Sequence, residues 1–150
     1  MRIRFQTATD KEYAEHLVKS NMAPYYQTRG IEWDSPRYQI SWKEFDNYEV
    51  LVGDIRVGVA RFTYDDATTY IRDLQIEPSH QGQGLGSECF SHIKTRAIQR
   101  GSSRIILRAF EENPAIKLYR YLGYRKIRAG QGLIEMQLLL ENEHIKPPSF

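Results

Sequence analysis

The sequence contains one cysteine, Cys89, and no long apolar run. A single cysteine cannot form a disulfide within the chain, which is compatible with a reducing compartment. No segment approaches the roughly 20 apolar residues that a membrane-spanning helix needs. No apolar stretch typical of a secretory signal follows Met1. We therefore expect a cytoplasmic location and no membrane partner.

Histidines and net charge offer few functional signals. The four histidines have no paired ligand spacing, so no metal site is predicted. The formal net charge is +2, which is too small to indicate a nucleic-acid partner by itself. A nucleic-acid-binding domain is further disfavoured because the sequence has no recognisable docking helix.

The alternation of apolar and polar residues predicts one α/β domain over residues 1–150. The length and the 41% apolar content suit a single core. The expected order is β-α-(α)-β-β-β-α-β-α-β-β, a mixed and mostly antiparallel sheet of about seven strands flanked by helices. The polar segment 141–150 is predicted to be a loose tail. Strands are expected at 2–7, 48–52, 55–64, 69–76, 104–109, 124–129 and 133–140.

Capping residues predict where the helices begin and end. A capping box beginning at Thr9 opens the first helix, and Pro24 is predicted to close it. Ser35 is the expected N-cap of a second helix. Asn113 is expected to cap a later short helix, which Gly123 ends.

A glycine-rich loop follows the strand predicted at 69–76 and precedes a helix. Residues 81–86 read Gln-Gly-Gln-Gly-Leu-Gly. Glycine permits backbone angles and close approaches that other residues resist. The first turn of the next helix offers unpaired N–H groups and the positive end of a dipole. The loop is therefore predicted to bind an anion, most often a phosphate.

Three phosphate-binding patterns compete for this loop, beside a glycine-rich turn with no ligand. A Walker loop requires a lysine and then a serine or threonine directly after its last glycine, whereas Gly86 is followed by Ser87 and Glu88, so this pattern is excluded. A dinucleotide fingerprint requires Gly-x-Gly-x-x-Gly, whereas the glycines here recur at every second residue. The coenzyme A pattern Gln/Arg-x-x-Gly-x-Gly matches at Gln81, Gly84 and Gly86.

Two segments together resemble the GNAT superfamily of N-acetyltransferases. Residues 74–86 look like the acetyl-CoA loop of that family. Residues 113–124 look like its Asn-x-x-Ala/x-x-Leu-Tyr-x-x-x-Gly-Phe/Tyr segment, and the two occur in the family's order. The resemblance covers roughly residues 2–140. It implies an acyl-CoA N-acyltransferase fold and direct transfer of an acetyl group from acetyl-CoA to an amine.

The resemblance also implies which residues hold the cofactor. The backbones of Leu74 and Ile76 would contact pantetheine, and Asn113 would bond to the same arm. The pyrophosphate would lie on the loop and the first helical turn: Gln81, Gly82, Gln83, Gly84, Leu85, Gly86 and Ser87.

Acetyl transfer to an amine requires a base, an oxyanion donor and an acid. A primary amine is protonated at pH 7 and must lose a proton before it attacks. Some family members carry a glutamate early on the strand before the loop, where this chain has Tyr70 and Arg72, so Asp73 is the predicted base. The N–H of Ile76 would face the oxyanion, and Tyr119 would protonate the departing sulfur. An ion pair for Asp73 and core packing for Tyr119 are the alternatives.

Residues 25–46 are rich in aromatic side chains and would cover the acceptor site in this family. Tyr25, Tyr26, Trp33 and Asp34 are interpreted as a cage for a cationic amine. A small hydrophobic subcore is the other interpretation. Tyr70 and Arg72 complete the predicted acceptor residues. The acceptor itself is not predicted.

Several alternatives remain at this stage. One is a regulatory module that binds acyl-CoA without transferring it. The chain is expected to be a monomer or a homodimer, because alternating apolar residues on the last strand suit either a second subunit or the core. Arginines recur every four residues from 96 to 108 and would form a solvated basic surface or bind the 3′-phosphate of coenzyme A.

Overall fold

The computed structural model describes residues 2–140. The predicted fold class is confirmed as a seven-stranded mixed sheet flanked by helices. None of the described helices is long and apolar enough to cross a membrane. The tail predicted for 141–150 lies outside the described residues. The strands are β1 (Ile3–Thr7), β2 (Asp46–Val52), β3 (Ile55–Tyr64), β4 (Thr68–Ile76), β5 (Arg104–Phe110), β6 (Arg125–Gly130) and β7 (Leu133–Leu139). The helices are α1 (Lys11–Thr28), α2 (Ser35–Glu44), α3 (Leu85–Arg100) and α4 (Ile116–Tyr121), with a 3-10 turn at Pro78–His80.

The described residues form two compact units. The first runs to Thr63 and resumes at Ile71–Phe90, and the second holds Tyr64–Tyr70 and the residues from Ser91 onward. In the first unit, β1, β2 and β3 pair in antiparallel register. Helices α1 and α2 bury apolar side chains with the inward face of β3, and this core contains Ala14, Leu17, Val18, Tyr38 and Val59.

Gly58 marks a close approach of β3 to β4. A Cβ atom built on Gly58 would lie 2.3 Å from the carbonyl oxygen of Gln75. Such a separation is far below van der Waals contact, so only glycine fits at this position of β3.

The structure corrects the predicted helix starts in the first unit. Asp10, rather than Thr9, caps α1, because its Oδ1 accepts a hydrogen bond from the N–H of Tyr13 at 3.0 Å. Asp34, rather than Ser35, caps α2 and accepts from the N–H of Arg37 at 3.0 Å. Aspartate caps as well as serine or threonine, so capping chemistry alone could not choose between neighbours.

The prediction that Pro24 closes α1 is wrong. Helix α1 continues to Thr28 with Pro24 inside it. A proline removes one backbone hydrogen bond and crowds the preceding turn. Tertiary packing beyond Pro24 opposes this cost, since the ring of Tyr26 lies 5.8 Å from that of Trp33. The Thr28 hydroxyl also donates to the Pro24 carbonyl at 2.9 Å.

In the second unit, β7 lies between β5 and β6 and pairs with both in antiparallel register. Both of its edges are therefore occupied. Met136 is fully buried and Leu140 nearly so, which favours core packing as the explanation of the apolar alternation on this strand.

Gly123 ends α4 as predicted, with φ of +103°, and Gly101 ends α3 with φ of +88°. Asn113 is not the N-cap of α4, which begins after Ala115. Its Oδ1 instead accepts from the N–H of Ala115 at 2.9 Å, which forms a turn just before the helix.

Candidate functional site

The glycine loop joins the 3-10 turn after β4 to the start of α3. Gly82 and Gly84 have φ of +76° and +79°, a region that other residues rarely adopt. These two glycines are therefore required by the loop conformation. Helix α3 starts at Leu85, and the N–H groups of its first turn have no partner within the helix.

Gly86 needs a different explanation. Its φ is not positive, and a Cβ built on it would meet no atom within 4 Å. The protein could therefore accommodate a larger residue at this position, and a helix start is weakened by glycine. A ligand that approaches the backbone closely would account for glycine here.

Arg2, which directly precedes β1, contacts the glycine loop. Its Nη2 donates to the carbonyl oxygen of Gln83 at 2.7 Å. The same guanidinium pairs with Glu88, to which Nε donates at 2.6 Å. Hydrogen bonds from the backbone and side chain of Arg2 lower the pKa of Glu88, so this carboxylate is ionised. Arg2 thus places a positive charge against a negative one in the first turn of α3.

Side chains from two elements meet at the end of β4. The carbonyl of Ile76 accepts from Asn21 Nδ2 and from Gln81 Nε2, each at 3.0 Å. Asn21 Nδ2 also lies 3.1 Å from Gln75 Oε1. Helix α1 and the glycine loop are therefore both tied to the strand that precedes the loop. Backbone contacts of Leu74 and Ile76 with a ligand remain a prediction.

Asp73 forms a buried ion pair with Arg61. Asp73 Oδ2 lies 2.9 Å from Arg61 Nη1, and their side chains are 17% and 2% exposed. An ion pair was the predicted alternative to a catalytic role for Asp73, and the neighbouring Arg72 is not its partner. Arg72 instead donates from Nε to Thr63 Oγ1 at 2.8 Å. Burial raises the pKa of Asp73 to about 6, and the pairing with Arg61 opposes that rise.

Arg61 is the centre of a polar cluster on the inner face of β3. Its Nε donates to Asn47 Oδ1 at 2.8 Å, and its Nη2 donates to Ser41 Oγ. The guanidinium carbon lies 4.2 Å from the ring centroid of Tyr38 and 4.7 Å from that of Phe45. These contacts satisfy a charge that would otherwise be costly to bury.

Arg61 was not among the site residues predicted from the sequence. One signal was present, since Arg61 follows Val57 and Val59 at spacing two and so shares their inward face. A charged residue in that phase of a buried strand indicates a compensated site inside the protein.

The aromatic segment forms a packed subcore. The ring of Trp33 lies 5.7 Å from that of Tyr38, and its Nε1 donates to Glu15 Oε2 at 2.9 Å. Glu15 also accepts from Ser35 and Gln39, which ties α1 to α2. These contacts favour the subcore over a cage of free aromatic rings. Binding of an acceptor by Tyr25, Tyr26 and Trp33 remains a prediction.

The other predicted site residues belong to the second unit. Tyr70 donates from its hydroxyl to Asp65 Oδ2 at 3.0 Å. Tyr119 is half-buried on α4, and its ring centroid lies 6.5 Å from that of Tyr124. Both the catalytic and the packing interpretation of Tyr119 are compatible with this position.

The arginines that were predicted to form a basic surface contact different kinds of partner. The guanidinium of Arg100 lies over the ring of Tyr64 at 3.4 Å. Arg104 donates to Thr68 Oγ1 at 2.9 Å, and Arg108 donates to Glu135. Within residues 2–140, no group of three or more His, Cys, Asp or Glu side chains could hold a metal ion.

Comparison with known proteins gives a consistent result. Residues 12–124 match the model of the acetyltransferase (GNAT) family. Thialysine N-epsilon-acetyltransferase of Sus scrofa is 30% identical over 71 residues, which are 47% of this chain and 42% of that protein. A histone acetyltransferase of Glycine max is 35% identical over 69 residues, which are 45% and 29% of the two chains. The chain thus spans less than half the length of these curated relatives.

Solved structures share the fold over nearly the whole chain. The ribosomal-protein-S18-alanine N-acetyltransferase of Escherichia coli superposes with a TM-score of 0.69 at 16% identity, covering 96% of this chain and 99% of that one. A GNAT family acetyltransferase from Elizabethkingia anophelis with acetyl-CoA bound has a TM-score of 0.73 at 13% identity, covering 93% and 99%. Because the identities are below 25%, these similarities establish the fold alone.

Proposed function

We propose that this chain, which belongs to the acetyltransferase (GNAT) family, transfers the acetyl group of acetyl-CoA to an amine. Membership follows because the family model matches residues 12–124, well over half of the chain. The observation that carries the proposal is the conformation of the glycine loop and of the first turn of α3. Gly86 has open space above it and an ordinary φ, so a closely approaching ligand explains it better than the fold does. A pyrophosphate suits both the loop and the helix start.

Acetyl-CoA supplies an activated acetyl thioester when bound. The proposed pyrophosphate site comprises the backbone amides of residues 81–87. The proposed pantetheine contacts are the backbones of Leu74 and Ile76 and the side chain of Asn113. These assignments rest on the family resemblance together with the conformation of the loop in the first unit.

Three groups of the chain are proposed to act on the reaction. Asp73 Oδ1 or Oδ2 takes the proton that the acceptor ammonium must lose, directly or through water. The N–H of Ile76 donates to the developing oxyanion. The Tyr119 hydroxyl gives its proton to the departing sulfur. A carboxyl with a pKa of about 6 is ionised at neutral pH and can accept a proton there.

The acceptor region is proposed to include Tyr25, Tyr26, Trp33, Tyr70 and Arg72, with the acceptor itself unassigned. We further expect a single domain in the cytoplasm that acts as a monomer or homodimer. Nucleic acid, membrane and metal are not proposed as partners or cofactors.

Thermal unfolding with and without acetyl-CoA tests the proposal. At 100 times its dissociation constant, a ligand adds about 2.7 kcal/mol to the free energy of unfolding. For a chain of this size, the midpoint should rise by about 5–11 °C. No rise at millimolar acetyl-CoA would refute acetyl-CoA as co-substrate.

Gly86→Leu provides the matched variant for this test. Nothing in the protein lies within 4 Å of the added Cβ, and leucine favours a helix, so the midpoint without ligand should stay level or rise. The acetyl-CoA shift should disappear because the side chain blocks the approach to the backbone. An unchanged shift would place the cofactor elsewhere.

Binding by the wild type without turnover on any of a panel of amines would favour the regulatory module.

Arg2→Ala is expected to weaken acetyl-CoA binding about tenfold. The variant leaves the Glu88 carboxylate uncompensated in the helix turn proposed to hold the pyrophosphate, and like charges repel. The measurement is the dissociation constant by calorimetry at low and high salt, with the larger loss at low salt.

Glu88→Gln separates the two roles of Arg2. If charge compensation matters, Arg2→Ala/Glu88→Gln should bind within about threefold of the wild type, because the repelling charge is gone. A double variant as weak as Arg2→Ala would instead attribute the loss to the hydrogen bond with Gln83.

A further inference from the structure

The second unit contains a cavity whose lining residues lie outside the proposed acetyl-transfer site. Its volume is about 360 Å³, within the range of about 300–1,000 Å³ typical of small-molecule sites. Arg108, Arg128 and Glu135 line it, together with residues 129–131 and Leu133. None of these side chains belongs to the proposed pyrophosphate, pantetheine or acceptor contacts.

The three charged residues form one row across neighbouring strands. Glu135 on β7 is the register partner of Arg108 on β5 and of Arg128 on β6. Arg108 Nε donates to Glu135 Oε2 at 2.8 Å, and Arg128 Nη2 donates to Oε1 at 2.9 Å. One carboxylate therefore fixes the position of two guanidinium groups.

Charge and exposure differ within the row. The Glu135 side chain is 9% exposed, whereas those of Arg108 and Arg128 are 59% and 75% exposed. Burial works to raise the pKa of Glu135, but the bonds from the two arginines outweigh it, and the pKa is lowered. Glu135 is therefore ionised at neutral pH, and the row carries one net positive charge.

The arginines retain donors beyond those that hold Glu135. A guanidinium has five N–H donors in a fixed plane, and the bonds to Glu135 use one nitrogen of each arginine. Donors that are already oriented lose little conformational freedom when an anion binds. Leu133 and Ala129 add apolar surface to the same cavity.

We propose that this cavity binds a small molecule through a single carboxylate group held by Arg108 and Arg128. One net positive charge matches the single charge of a carboxylate better than the roughly double charge of a phosphate monoester. The apolar lining suits a short hydrocarbon portion on the same ligand. The proposal does not depend on acetyl transfer, and its test needs no acetyl-CoA.

Butyrate and butyramide are the probes, because they have similar shapes and differ in charge. Butyrate is expected to shift the NMR signals of Arg108 Nε–H and of the backbone at 129–131, and butyramide at equal concentration is not. Arg128→Gln should weaken butyrate binding at least about tenfold, since it removes a charge-assisted donor. Equal binding of the two probes, or unchanged affinity of Arg128→Gln, would overturn the proposal.

Lys126→Gln is the matched control, because Lys126 is exposed on the same strand and lies outside the cavity lining. It removes one positive charge and should leave butyrate binding unchanged; an equal loss would indicate general charge attraction and overturn the site. Gly130 is two residues from Arg128 on β6, so a side chain at position 130 lies on the face of the charged row, and a Cβ built there meets no atom within 4 Å. Gly130→Trp should therefore fill the cavity without altering the charged row and should also abolish binding. Tighter binding of butyl phosphate than of butyrate would refute the assignment to a carboxylate.

Discussion

Asp73→Asn is expected to lower kcat for acetyl transfer by about 100-fold or more, the usual range for loss of a general base being about 10²- to 10⁴-fold. The asparagine side chain keeps an oxygen in place of the Oδ2 that now accepts from Arg61 Nη1 at 2.9 Å. This hydrogen bond can persist although Arg61 loses its counter-charge, so the unfolding midpoint is measured beside kcat. A variant that is folded at the assay temperature and still inactive assigns the loss to the missing proton acceptor. Steady-state kinetics with saturating acetyl-CoA measure the effect.

The pH profile gives this prediction its specific signature. In the wild type, kcat should fall as pH drops through about 6, because a protonated Asp73 cannot accept a proton. An acceptor amine with a pKa above about 9 titrates outside that window. Asp73→Asn should lack the acidic limb, whereas a merely structural role would lower kcat and leave the limb in place.

The raised pKa of Asp73 affects the stability of the fold in the opposite direction to its effect on kcat. The folded carboxyl has a pKa of about 6 against an ordinary value of 3.8, so its contribution to the free energy of unfolding is full below about pH 4. That contribution is lost as pH rises through about 6. A decline in kcat below pH 6 therefore cannot be explained by unfolding linked to Asp73.

Glu77→Gln is the matched control for the base. Glu77 is the carboxylate that directly follows β4. The kcat of the Glu77→Gln variant should remain within about twofold of the wild type. A loss in Glu77→Gln with full activity in Asp73→Asn would transfer the role to Glu77.

Tyr119→Phe is expected to lower kcat by about 10- to 1,000-fold, because the departing sulfur would lose its proton donor. The change removes only the hydroxyl, so the ring contact with Tyr124 is retained. The midpoint of unfolding should move by no more than a few degrees, which separates catalysis from core packing.

Tyr121→Phe tests whether any tyrosine change on α4 has this effect. Tyr121 lies on the same short helix and is 85% exposed. Its kcat should equal that of the wild type. If Tyr119→Phe also retained full kcat, Tyr119 would have no part in proton transfer.

The fold was predictable because its signals are local and repeated. Strand β3 was predicted with the bounds that it has, since Gly53 and Asp54 mark its start as a tight turn. Helix α4 ends before Gly123 as predicted, because this glycine supplies the left-handed residue. The capping errors at Asp10 and Asp34 are shifts of one residue among equivalent caps.

Tertiary partners were beyond the reach of sequence patterns. Arg2 and Gln83 are 81 residues apart, and no local pattern indicates that they meet. Asn21 reaches the end of β4 across 55 residues. The prediction that Pro24 ends α1 was wrong for the same reason, because packing of Tyr26 on Trp33 opposes the tendency of proline to end a helix.

Gly58 and Gly86 differ in whether the fold itself demands glycine, and random mutagenesis would separate the requirement of the fold from the proposed requirement of the cofactor. Position 58 faces the Gln75 carbonyl, so every larger residue there works against the pairing of β3 with β4. Position 86 faces open space, so folding alone places no such limit on it. A library selected for solubility would keep glycine at 58 and release it at 86. A library selected for acetyl transfer would keep both, so the difference between the two selections isolates the residues that the cofactor requires.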